Sequence, residues 1–165
     1  MAAHRGDAAT WWAVLGVALV FVQAILALGE RGLQTVRAGL DTGGWIALVL
    51  LTAAFVYGEG IRALQRRWVP SVISRAGQLR GESSPLLRIL APLYAMALVG
   101  ASPRALVRAW AGVAGITAAV LIVRALPDPW RGIIDLAVAA ALCWGLGAIL
   151  VGGSRILMRR DSGEG

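Results

Sequence analysis

A chain of 165 residues that is 58% hydrophobic, with mean hydropathy +0.72, carries more apolar side chain than one soluble core buries, so its helices are expected to be solvated by lipid. The net charge of +7 comes from sixteen basic residues, all arginine. In a soluble chain it would suggest nucleic acid, but here the arginines flank apolar runs, where they set orientation and meet anionic head groups, so membrane lipid and not nucleic acid is the expected partner.

The chain reads as one membrane domain over 1–165. Residues 1–9 form a short polar tail, expected to be disordered. Thr10 to Leu28 is apolar except for Gln23, long enough to cross most of a hydrocarbon layer about 30 Å thick, with Trp11 and Trp12 placed for an interfacial belt. A cleaved signal peptide fits less well, because this run is long and no A-x-A site follows. Gly29 to Gly44, with Glu30, Arg31, Arg37 and Asp41, reads as a charge-balanced external loop.

The second span, residues 43–64, is uninterrupted only to Tyr57, about 22 Å of helix, which falls short of a crossing unless it continues through Gly58, Glu59 and Gly60. That draws Glu59 toward the membrane. Either it pairs with Arg62 at head-group level, or it faces a bundle interior as intramembrane acids on ion paths do.

Residues 61–80 form a basic arm. Ile61, Leu64 and Trp68 share a face, Pro70 is expected to break or restart the helix, and Val72, Ile73, Ala76 and Leu79 form a second apolar stripe. Such a helix can lie flat on the membrane, with Arg66, Arg67, Arg75 and Arg80 as candidate lipid ligands, or pack its stripe on the rest of the protein. Gly81 to Pro85 is a turn-rich connector. Residues 86–101, interrupted by Arg88 and Pro92, are read as a re-entrant or interfacial helix. With that segment not crossing, Arg5, the eight arginines from Arg62 to Arg108, and Arg155, Arg159 and Arg160 lie inside against four outside; a fifth crossing would make the split nine against seven. The positive-inside rule therefore favours an all-α polytopic protein with four transmembrane helices, the arm and both termini being cytoplasmic.

Ser102 and Pro103 are a helix start, and residues 105–124 the third crossing, with Arg108 near its beginning and small residues spaced by four at Ala111, Gly115 and at Ala114, Ala118. Asp128 and Pro129 introduce the last crossing, 130–151, anchored by Trp130 and ended by Gly152 and Gly153. Arg131 and Asp135 lie one turn apart on it. They are read as an ion pair, with Arg124 as a further partner, or else Asp135 is a second intramembrane acid. Ala137, Ala141 and Gly145 make a small-residue face suited to a partner membrane protein or a second copy.

The stretches Tyr57-Gly58-Glu59-Gly60, Arg66-Arg67, Pro70 with Arg75-Ala76, Leu90-Ala91-Pro92-Leu93 and Pro129-Trp130-Arg131-Gly132-Ile133-Ile134-Asp135 resemble those of a family of small bacterial integral membrane proteins of uncharacterised activity. The likeness covers roughly residues 55–151, and the Pro-Trp-Arg-Gly stretch is its most specific part. It implies a bacterial inner membrane and carries over no catalytic residue.

The one histidine, His4, sits in the tail, the one cysteine, Cys143, in an apolar run, and there is no lysine. A histidine metal site, a Ser-His-Asp triad, an intramolecular disulfide and a lysine-bearing phosphate loop therefore lack their parts, and no catalytic residue, metal site or cofactor is expected. The expected function is that of a non-enzymatic structural, assembly or regulatory membrane component. The alternative is an oligomeric small-solute or ion transporter using Glu59 and Asp135.

Overall fold

The computed structural model describes the backbone of residues 2–79 and 85–158, and the side chains of 8–79 and 86–154. It is helical, and among the described residues there is no strand. In chain order, α1 spans Ala2–Ala38, α2 Thr42–Phe55, a π-helical segment Val56–Trp68, α3 Val69–Gln78, α4 Pro85–Ile89, α5 Ala91–Ala95, α6 Pro103–Arg124 and α7 Trp130–Met158. Among the described residues four helices are long and apolar enough to cross a membrane: 8–38, 42–78, 103–124 and 130–154. The segment 86–101 is no fifth crossing, since α4 and α5 have five residues each, under about 10 Å of helix apiece.

The crossings alternate in direction, and side-chain contacts give their levels. At one end Thr10 donates to the Ala76 carbonyl (3.1 Å), and a Cβ on Gly153 would meet Val14. At the other end Gly32 lies against Leu136 and Gly132 against Thr35. Residues near both ends of the described chain, together with α3, α4 and α5, therefore share one end of the bundle, and the turns 39–41 and 125–129 share the other.

Several boundaries differ from expectation for reasons of packing. α1 runs from Ala2 to Ala38, taking in residues 2–9, expected as a disordered tail, and Gly29, expected in a loop, and within the extension Gly32 lies against Leu136 of α7. Asp41 caps α2 by accepting from the Gly44 N–H (2.8 Å), leaving a connection of three residues. α7 continues through Gly152 and Gly153, which are contact points and not a stop: a Cβ on Gly152 would overlap Ile73 Cδ1. Ser102 begins α6 with Pro103 in the first turn, as expected, although its hydroxyl makes no capping bond.

The largest departure is at the arm. Pro70 does not turn the chain aside, and residues 42–78 form one unbroken helix. Just before the proline the backbone is in the i→i+5 register, Val69 N–H bonding to the Leu64 carbonyl, so the return to α-helix falls at the residue that has no N–H to give. The inward positions follow the wider turn: half-buried Phe55 is succeeded by buried Gly60, half-buried Leu64 and buried Val69, in steps of five, four and five. Val72, Ala76 and Leu79, no more than 1% exposed, then join Ala13, Val14, Val17, Phe21, Ala91, Ala95 and Ile149 in the core. The apolar face of the arm is packed inside the bundle, and the arm continues residues 42–55 in one helix.

Candidate functional site

The upright second helix carries its charged face to the middle of the bundle. A Cβ on Gly60 would meet Trp144 Cβ at 3.3 Å and the Ala141 carbonyl at 3.4 Å, and one on Gly145 would meet Leu64 Cδ1 at 2.6 Å and Phe21 Cε1 at 3.1 Å. Trp144 donates to Gln65 Oε1 (2.7 Å), and Trp68 stacks on Phe21 with ring centroids 5.6 Å apart. Residues 60–68 are therefore level with 141–145, the middle of the apolar run of α7, and with Phe21, near the middle of that of α1. Arg62, between Gly60 and Leu64, is thus level with about residue 143 of α7, more than about 10 Å of helix from either end of that run.

Glu59, Arg62, Arg66 and Arg67 are exposed on this segment. Glu59 faces neither the bundle interior nor Arg62: among the described residues no ion pair links the two. A charged side chain at the centre of a lipid-facing helix costs about 3 kcal/mol on insertion scales, and such residues almost always face protein or a water-filled cavity. The inward positions Phe55, Gly60, Leu64 and Val69 advance by five, four and five residues, a spacing that an α-helical wheel obscures.

Asp135 has the opposite environment. It is 5% exposed on α7, its Oδ2 is buried without a hydrogen-bond partner, and it lies where α1 and α7 are pressed together at Gly32, Thr35 and Gly132. The expected direct pair with Arg131 does not form among the described residues, and Arg131, Arg31 and Arg124 are cations in its neighbourhood. Arg31 comes from the extension of α1, where the sequence alone suggests a loop.

The remaining candidates separate. Arg75 is engaged within the fold: Nε donates to the Tyr94 carbonyl (2.8 Å), Nη2 to the Gly100 carbonyl (3.3 Å), and the guanidinium lies 4.6 Å from the centre of the Tyr94 ring. Gly100, at φ +64°, takes a left-handed conformation that suits glycine, and the Tyr94 hydroxyl donates to Gln78 (3.2 Å). Arg75 is thus a clamp between α3 and the 94–100 segment, where the sequence suggests a lipid ligand. Arg108 and Arg124 are exposed on α6, and Arg80 lies outside the described residues. A shallow recess of about 470 Å³ between Ala8, Ala9, Trp12, Arg88 and Ile89 is mostly apolar and sits at the end of the bundle that bears α4.

α6 is the least integrated element. None of its residues is buried, and at Gly112 and Gly115 nothing lies within 4 Å of the position a methyl group would take. By contrast the Ala137, Ala141, Gly145 face of α7 is buried within the chain itself.

The arrangement is that of an all-α polytopic membrane protein with four helices long and apolar enough to span the bilayer. No protein-family model, no curated protein and no solved structure matches the chain.

Proposed function

We propose that this protein is a non-enzymatic component of the bacterial inner membrane that acts by assembly with other membrane helices. The observation that carries this reading is α6, a 22-residue span with no buried residue and with small residues open at Ala111, Gly112 and Gly115. Helix association in lipid relies on close packing at such residues, which α6 does not achieve within its own chain. The expected result in detergent or nanodiscs is a protein mass above that of one 17.3 kDa chain, or a stoichiometric membrane partner. A stable, partner-free monomer would remove this reading.

A second reading, an oligomeric small-solute or ion path, is favoured by Glu59 and Arg62 at mid-span, because ionisable side chains at that depth ordinarily line aqueous routes. Its expected result is a solute or ion flux in reconstituted vesicles that Glu59→Gln alters.

The arginine imbalance supports a cytoplasmic position for the end bearing α3, α4 and α5. In a Cys143→Ala background, Thr42→Cys is expected to react with an impermeant thiol reagent in intact spheroplasts, and Ser102→Cys only after lysis. The reverse pattern would invert the topology.

A further inference from the structure

We infer that the exposed face of the π-helical segment is the contact between two copies of this chain, with Glu59 of each copy set against Arg62 of the other. This inference rests on the assembly reading above and names its partner. Three observations support it. Glu59 and Arg62 are both exposed, have no ion pair with each other and stand near mid-span, as fixed by the contacts of Gly60 and Leu64 with α7. With the bilayer centred on the apolar run of α7, an acid and a base exposed at this level are costly to leave in lipid.

The two charges are opposite and lie three residues apart on the exposed side of the segment, within about 5 Å of each other along the helix axis. A two-fold axis along the membrane normal therefore brings acid to base twice, as a self-complementary interface requires. A Cβ built on Gly58 would have nothing within 4 Å, so the backbone beside Glu59 is open to an approaching helix. Arg66 and Arg67, also exposed, lie farther along the helix toward the arginine-rich end. The α6 face is not needed for this contact and stays free for a different neighbour.

The test is charge exchange in the full-length protein, read as mass in detergent and as co-purification of two differently tagged copies. Wild type is expected to be dimeric. Glu59→Arg and Arg62→Glu, each expressed alone, bring like charges together and are expected to be monomeric. Expressed together, the two variants are expected to co-purify with each other, since each then supplies the charge the other lacks; a pair formed only within one chain would not be restored by mixing.

If the charge-reversed proteins do not accumulate, Glu59→Gln and Arg62→Gln serve instead. Each is expected to weaken association on the order of tenfold, and the double variant no further than the worse single one. An oligomer that ignores all these changes would overturn this interface while leaving the assembly reading standing. A wild-type chain that binds a different membrane protein and never itself would overturn this interface alone, and a partner-free wild-type monomer would overturn both. Flux that depends on Arg62, without charge-exchange rescue, would mean that water and ions occupy this face instead of a second copy.

Discussion

Gly32→Ala is expected to be among the most disruptive small substitutions in this protein, lowering stability by about 2–3 kcal/mol, toward the upper end of overpacking costs. The added methyl would stand 2.5 Å from Leu136 Cβ and 3.0 Å from its Cα and N. Two of these atoms belong to the α7 backbone, so no rotamer change relieves the overlap and the helices must move apart. The same separation would open the Gly132–Thr35 contact and admit lipid or water to buried Asp135. Gly115→Ala is the matched control, since nothing lies within 4 Å of the position its methyl would take. Thermal unfolding in one detergent should show a large loss for Gly32→Ala and none for Gly115→Ala. Equal losses would mean that α6 is packed as tightly as α1 and α7.

Replacement of Arg75 by Gln is expected to cost about 2–3 kcal/mol, because a charged donor is lost from two carbonyls and a cation from an aromatic face. The geometry is that of a planar fork: one guanidinium serves Tyr94, Gly100 and the Tyr94 ring together. Arg75→Lys should recover little, since an ammonium has the charge without the fork. Arg66→Gln and Arg67→Gln, on the exposed face, should leave thermal stability nearly unchanged. Faster proteolysis near α4 and α5 is the local signature expected for Arg75→Gln, because the clamp ties the 94–100 segment to α3. If Arg75→Gln instead left stability intact and weakened binding to anionic vesicles, Arg75 would be a lipid ligand.

Packing contacts account for most of the differences between pattern and fold. Gly29, Gly32, Gly152 and Gly153 look like helix ends on a single strand of sequence, where glycine has a conformational meaning but no neighbour. In three dimensions Gly32 and Gly152 are points of close approach to Leu136 and Ile73, and helix persists through both. The small residues of α6 suggest internal packing by the same logic as those of α7, yet only the α7 set is covered by the chain. The two sets have the same local pattern; which one meets a neighbour depends on how the helices are arranged in space.

Composition and local order point to an all-α membrane protein and favour four spans, because apolar runs and the arginines at their ends are properties of the chain taken residue by residue; that the short second run extends to a full helix and that 86–101 does not cross are seen only in the structure. Composition and local order also mark Glu59 and Asp135 as the acids to explain. The surroundings of the two acids come from tertiary packing, which leaves Glu59 open near mid-span and buries Asp135 against α1. The physical reason is register between helices: an amphipathic face is compatible with either a membrane surface or a neighbouring helix. In residues 56–79 the contacts with Phe21, Ala141 and Gly145 stand the arm upright and bring its charges to the level of the apolar spans.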